Sequence, residues 1–398
     1  MIPRAAAPGR PQTLYACLGL ALGQAGLFMA LPSLPAMAAE FGVSDADAQG
    51  SITLYALGYG LSQLLWGPLA DRHGRRPVAL GGVALYSLIS LALVMVPGFG
   101  ALLVLRLLQG VAAGCGTSVS RACLRDVASG RELARAMGVV AMSYAVALGV
   151  APFLGGWIGR LGSWRGDDGL LAVLGGLTYA YLARNLTETR VRPPVPTTQW
   201  NLRGLLPGYG KLLRDPRFLV PALIATLGTG LVAGYDAASP FDFERRFGFS
   251  TAGYGNLNLL LSAAYLLGSL ALTWNVERLG QQRLLWAGAA TSVGGAAVML
   301  LLGLAGRFDP LSLLLPMLVV VVGVGVVVPL GLALPMQAFP ERAGQASALT
   351  GFLQQEGTAL LVALAVALHG GSQVPLGLSL LVLALLLALL VRIQGRLG

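Results

Sequence analysis

Charge is the scarcest commodity in this chain: 11% of its 398 residues are Asp, Glu, Lys or Arg, against roughly 25% in an ordinary soluble domain. So few charges cannot cover a soluble surface. Lysine is almost missing, with Lys211 its single instance, so no glycine loop ends in the lysine that cradles phosphate, and ATP hydrolysis is excluded. Cys17, Cys115 and Cys123 fall within or beside apolar runs and imply neither a disulfide framework nor a metal site. Histidine occurs as His73 and His369, neither with a companion at ligand spacing. No nucleophile motif, paired acid or His-Asp constellation is present, so the chain does not read as an enzyme, and no cofactor is called for.

Hydrocarbon fills the place of charge. Hydrophobic residues make up 56% of the chain and the mean hydropathy is +0.73. Apolar runs such as 311–334 and 376–391 are close to the ~20 residues a helix needs to cross a bilayer. The spacing predicts spans at 13–38, 49–70, 78–96, 101–122, 135–158 and 169–186, then 217–240, 252–274, 283–304, 311–335, 344–368 and 374–392. The expected fold is therefore all-α, with twelve transmembrane helices in two six-helix halves, 1–186 and 217–398. The segment 187–216 holds Arg190, Arg192, Pro193, Pro194, Pro196, Arg203, Lys211 and Arg214 and reads as a cytoplasmic linker with an interfacial helix. The first residues, with two arginines and three prolines before Thr13, read as a short cytoplasmic tail ahead of a retained first span.

The formal charge of +10 follows from topology rather than from nucleic acid. On these spans about twenty-one of the 27 cations fall on one side, as the positive-inside rule requires of a cytoplasmic face. Both termini are then cytoplasmic. A repeat supports the two halves: Asp71-Arg72-His73-Gly74-Arg75-Arg76 and Glu277-Arg278-Leu279-Gly280-Gln281-Gln282-Arg283 occupy the same ordinal loop in each. Repeated halves with a site between them are a transporter architecture.

Four patterns carry a resemblance. The stretch Gly67-Pro68-Leu69-Ala70-Asp71-Arg72-His73-Gly74-Arg75-Arg76-Pro77 resembles the signature loop of the major facilitator superfamily. Leu102, Arg106, Gln109 and Gly110 match its fourth-span motif, and Gly149, Ala151, Pro152, Gly155 and Gly156 resemble its antiporter motif, with Ala151 where glycine is usual. Leu31-Pro32-Ser33-Leu34-Pro35, the 121–126 segment and the Trp164-Arg165 and Leu186-Thr187-Glu188-Thr189 brackets look like the Bcr/CflA-type drug-resistance branch. That resemblance implies a proton-coupled exporter of the inner membrane, a monomer powered by the proton gradient, whose partners are a small molecule and the lipid bilayer. It also implies a cytoplasmic latch of Gly67, Asp71, Arg72, Gly74, Arg75, Arg76, Arg125 and Asp126, with Asp71 and Arg125 as part of it.

Members of that branch commonly carry an aspartate in the first span where this chain has Phe28, so the acidic role must be absent or relocated. Glu356 in the eleventh expected span and Asp236 in the seventh are the candidates, with Arg106 tuning or answering the acid. An arginine inside hydrocarbon costs several kcal/mol unless it faces a partner or a cavity, or snorkels to the interface. Gln24, Phe28, Tyr55, Tyr59, Gln63 and Tyr144 are candidates for a substrate cavity in the first half. Tyr235, Asn256, Asn258, Tyr265 and Gln355 are their counterparts in the second, because an amide or phenol within a span must find a partner or water. Packing is the competing reading for each. Export of an endogenous metabolite such as a siderophore, proton-coupled import, and a non-transporting sensor remain as alternatives.

Overall fold

The structure, a computed structural model, describes residues 10–128, 130–190, 202–339, 342–368 and 372–397. His369 and much of the expected linker lie outside them. The first helix, α1 (Arg10–Phe28), passes through a 3-10 turn at Leu31–Ser33 into α2 (Leu34–Phe41). Pro32 and Pro35 occupy first-turn positions, where a missing N–H removes no helical hydrogen bond. Next come α3 (Asp45–His73), α4 (Arg75–Val94), α5 (Phe99–Val127), α6 (Gly130–Leu161) and α7 (Arg165–Asn185). A short α8 (Leu202–Leu213) falls in the expected linker and docks on α9 (Pro216–Phe241) and α13 (Ala343–Leu368). Between them lie α10 (Thr251–Leu279), α11 (Gln281–Leu304) and α12 (Pro310–Ala338), and α14 (Gln373–Leu397) closes the chain. No strand occurs among the described residues.

Among those residues, nine helices are long and apolar enough to cross a membrane. Three expected spans, now α3, α7 and α13, are not in that set. All three carry a polar load: Gln49 and Gln63 on α3, Asp167 and Asp168 on α7, and Gln354, Gln355 and Glu356 on α13. Most of that load is turned into the protein, where protein partners replace water.

Helices α1, α3, α4, α5, α6 and α7 pack chiefly on one another, and so do α9 to α14; the main bridges are α6 with α10 and α3 with α13. Two turns occupy equivalent places. Gly74 between α3 and α4 has φ 100° and ψ 153°, and Gly280 between α10 and α11 has φ 78° and ψ 158°. Both fall at positive φ, where a side chain is strained. The repeat seen in the loops therefore extends to the backbone that reverses the chain.

The end of the molecule at Gly74 is here the latch end, and the end at Asp45 the far end. At the far end the two helix groups are tied directly. Gln49 Nε2 donates to the Ala237 carbonyl at 2.6 Å, Asp45 pairs with Arg245 at 2.7 Å, and Trp157 Nε1 donates to Asn256 Oδ1 at 3.2 Å.

Candidate functional site: a central cavity and its latch

The α6–α10 seam shows what the small residues of α6 do. A Cβ on Gly149 would lie 2.4 Å from the Ser262 side chain, and one on Gly156 would lie 2.6 Å from the Thr251 carbonyl. The Pro152 carbonyl is 2.7 Å from where Gly255 would carry a Cβ, and Gly155 backs onto the Met29 carbonyl in the same way. Ser262 Oγ donates to the Ala145 carbonyl at 2.7 Å across the seam. These four residues of the antiporter-type motif are thus a close-packing face between α6 and its neighbours.

Between the two groups lies a cavity of about 240 Å3. Gln24, Tyr59, Gln63, Tyr144, Tyr265 and Gln355 line it. Its other walls are set toward the latch end: Thr117 and Arg121 in the last third of α5, and Ser347, Thr350 and Gly351 in the first third of α13. Tyr59 OH and Thr117 Oγ1 share a hydrogen bond of 2.5 Å, and Gln24 Nε2 donates to Tyr59 OH at 3.4 Å. The ring of Tyr144 packs at a tilt against Tyr265 at 5.7 Å and meets Phe28 edge-on at 6.3 Å.

Several candidates stand elsewhere. Tyr55 donates to the Gly23 carbonyl at 2.7 Å and pins α3 to α1. Tyr235 is buried within α9, outside the cavity wall. Asn256 is taken up by Trp157 at the far end, and Asn258 Nδ2 donates to the Tyr254 carbonyl in its own helix. Tyr55, Asn256 and Asn258 are thus engaged by protein groups away from the cavity, which is the packing reading.

Phe28 does not line the main cavity either. It walls a second space of about 40 Å3 together with Leu27, Gln49, Ile52, Val362 and Asp236. The residue replacing the first-span acid and one candidate for its role therefore face the same small void. Asp236 is 3% exposed, and its Oδ1 has no hydrogen-bond partner among the described residues. Glu356 is at the α3–α13 seam, outside both cavity walls, where a Cβ on Gly60 would fall 2.3 Å from its Oε1. That Oε1 is also buried without a partner.

Arg106 shares no compartment with either acid, so the expected tuning contact is not made. It is 1% exposed and sits within a network among α1, α4, α5 and α7. Its Nη1 donates to Gln109 Oε1 at 2.9 Å and to the Gly26 carbonyl at 3.3 Å, while Nη2 lies 3.4 Å from Asp168 Oδ2. Gln109 Nε2 donates to Asp168 Oδ1 at 3.2 Å and to Ser90 Oγ at 2.9 Å. Beside it, Asp167 accepts from Ser33 Oγ at 2.9 Å. Asp167 and Asp168 are buried acids that sequence reasoning passed over, because they stand where a polar break before the sixth span is expected. The signal that could have found Asp168 is Arg106 itself, since a buried guanidinium needs a carboxylate.

At the latch, Arg75 joins two helices. Its Nη2 lies 2.6 Å from Asp71 Oδ1 and its Nε 2.9 Å from Asp126 Oδ2. Asp71 thus pairs with Arg75, while Arg125 is exposed and makes no ion pair among the described residues. Arg76 Nη2 donates to the Ala183 carbonyl at 2.8 Å, and the Arg72 carbonyl accepts from Arg190 Nη1 at 2.8 Å. A Cβ on Gly67 would meet nothing within 4 Å, so that glycine is not required by space. Glu188 had not been placed in the latch. It accepts from the backbone N–H groups of Arg75 at 2.9 Å and Arg76 at 3.2 Å, where a carboxylate answers the free amides at the start of α4. Partial burial would raise its carboxyl, but the amides of Arg75, Arg190 and Arg76 and the Arg190 charge hold it below the ordinary range.

A sequence model of the Major Facilitator Superfamily matches residues 16–362. The chain belongs to that superfamily. It is 30% identical to multidrug resistance protein D of Escherichia coli (strain K12) over 94% of this chain and 93% of that one. It is 29% identical to a chloramphenicol resistance protein of Pseudomonas aeruginosa, over 82% and 77% of the two chains. Among solved structures, the human organic anion transporter MFSD10 (TETRAN) superposes with a TM-score of 0.75 at 19% identity, over 97% of this chain and 100% of that one. A D-xylose-proton symporter gives 0.72 at 16%, over 95% and 96%. At these identities the structures share the fold. The sequence relatives agree with the Bcr/CflA-type branch, and they make the chain a membrane transporter and not an enzyme.

Proposed function

We propose that the chain is a proton-coupled exporter of small molecules, of the drug-resistance type, working as a monomer by alternating access in the inner membrane. The two helix groups are its rocking halves, 1–186 and 217–398, joined by the 187–216 linker, with twelve spans and both termini on the cytoplasmic side. The latch end is then cytoplasmic. A cavity walled toward that end, with direct ties at the other, fits a state that receives cargo from the cytoplasm. Drug-resistance names among the relatives support export of such compounds.

The observation that carries proton coupling is Asp236. It is a carboxyl with an unpartnered oxygen, held among Leu27, Phe28 and Ile52 beside the Gln49–Ala237 tie that must open for release. Taking up a proton there changes the cost of separating these walls, since a charge buried without a partner is far more costly than a neutral carboxyl. Asp236 thus takes the part of the acid displaced by Phe28. Glu356, on the α3–α13 seam that must also slide, is the second candidate. Arg106 takes no direct part.

The test is chloramphenicol uptake into everted vesicles, with and without an imposed pH gradient. The wild type should accumulate drug only with the gradient, while Asp236→Asn should lose that accumulation and keep drug exchange at equilibrium. Equal uptake with and without the gradient would overturn coupling. Loss in Glu356→Gln with Asp236→Asn unaffected would move the site to the α3–α13 seam.

A further inference from the structure

The central cavity is cationic. Among the described residues, Arg121 is the one charged side chain in its wall, and no Asp or Glu of theirs lines it. In the sequence Arg121 opens the 121–126 segment that resembles the drug-resistance branch. Its Nε is buried with no hydrogen-bond partner, and no carboxylate lies within ion-pair distance of its guanidinium among the described residues. Arg106, by contrast, has Asp168, and Arg75 has two acids. A second unpaired polar group faces the same space: Thr350, 2% exposed, lines the cavity and its Oγ1 makes no hydrogen bond. Gln63, Gln354, Gln355 and Ser347 add amide and hydroxyl donors, although Gln354 Nε2 is engaged by Thr229 at 2.8 Å. The rest of the wall is apolar or aromatic, with Leu20, Val140, Tyr144, Tyr265, Val328 and Met336.

A buried cation without a protein counter-charge is costly, and a planar guanidinium matches a carboxylate in two parallel hydrogen bonds. We infer that the cavity selects amphiphilic organic anions, compounds with one carboxylate or similar oxyanion on an aromatic or apolar body, with Arg121 as the anion receptor and Thr350 as a hydroxyl partner to it. This rests on the transport reading above and narrows its cargo. The cavity volume suits a body of one or two rings. A permanently cationic compound would place like charge against Arg121 with no acid among the described wall residues to offset it.

The experiment uses three probes of one shape: 1-naphthoate, its methyl ester, and 1-naphthylmethylammonium. Binding to the purified full-length protein in detergent is read by quenching of naphthyl fluorescence and by calorimetry. The wild type should bind the anion about tenfold or more tighter than the ammonium, as a charge-assisted contact of ordinary strength implies. Arg121→Gln should collapse that ratio toward one, Arg121→Lys should keep part of it, and Thr350→Val should reduce it by a few-fold. Elution profile and melting temperature show that each variant is folded. Equal binding of the three probes by the wild type, an unchanged ratio in Arg121→Gln, or no saturable binding of any probe would overturn the assignment. Flux in proteoliposomes separates this inference from its premise. Anion preference in binding without pH-driven flux retires the transport reading alone. PH-driven flux of ester and ammonium that ignores Arg121 retires the anion reading alone.

Discussion

Arg106 shows how far a single residue can be read from sequence. An arginine at that depth had to be functional, snorkelling or paired, and its motif partner Gln109 was in view three residues on. The third member, Asp168, comes from a helix 62 residues away, and its neighbour Asp167 made the pair look like a wetted helix start. Composition and spacing carry no information about which distant acid turns inward. The network gives a clear expectation. Asp168→Asn leaves Arg106 buried without its carboxylate, and breaking one side of a buried pair costs about 3–5 kcal/mol. Thermal melting of the purified protein should show a large loss for Asp168→Asn and for Arg106→Gln, and a double variant less damaged than the sum of the two. Strict additivity would show that the two side chains are not coupled.

Elements were legible wherever hydrophobic runs were bounded by turn residues: helices lie over the expected spans, the first broken by the 3-10 turn between α1 and α2, and nine of them among the described residues are long and apolar enough to cross a membrane. What the runs could not show was which glycines bring helices into contact and which merely sit within them. Gly110 of the fourth-span motif and Gly67 of the signature loop look alike in sequence. In the structure a Cβ on Gly110 would fall 2.0 Å from the Tyr55 carbonyl, where α5 crosses α3, whereas one on Gly67 meets open space. The same crossing places Gly58 against the Leu107 carbonyl, so both backbones are committed and neither can recede. Gly110→Ala should therefore cost about 1–3 kcal/mol through overpacking. Gly67→Ala, inside α3, should be neutral or gain up to about 1 kcal/mol from helix propensity. Melting temperatures of the two single variants decide this, and an equal loss in both would contradict the α3–α5 contact as described. The latch shows the same limit from another side: its arginines were evident, but Glu188, which holds the start of α4, was read only as a branch signature.

On the scale of the whole molecule, two groups of helices meet along two seams, and the cavity between them is bounded at one end by ties that cross from one group to the other. Pseudo-symmetry was legible from two loops of like sequence, and the equivalent backbone at Gly74 and Gly280 extends it. Which end is closed was not legible, because the tying residues, Asp45, Gln49, Ala237 and Arg245, form no motif and meet only when the groups are juxtaposed. Alternating access requires those ties to break in every cycle. The Asp45–Arg245 pair is partly exposed, with side chains 39% and 49% accessible, so its own contribution is small, at about 0–1 kcal/mol. Charge removal at either position should then leave transport close to wild type. Cysteines at both positions should behave differently, because a disulfide there holds the far end shut whatever the ion pair is worth. The native thiols do not complicate the assay, as Cys115 and Cys123 are buried and Cys17 is half-buried. Oxidised Asp45→Cys/Arg245→Cys protein should bind cargo from the latch end but lose vesicle transport, and a reductant should restore it. Full transport by quantitatively cross-linked protein would mean that the far end need not open, and the rocking-halves mechanism would fall with it.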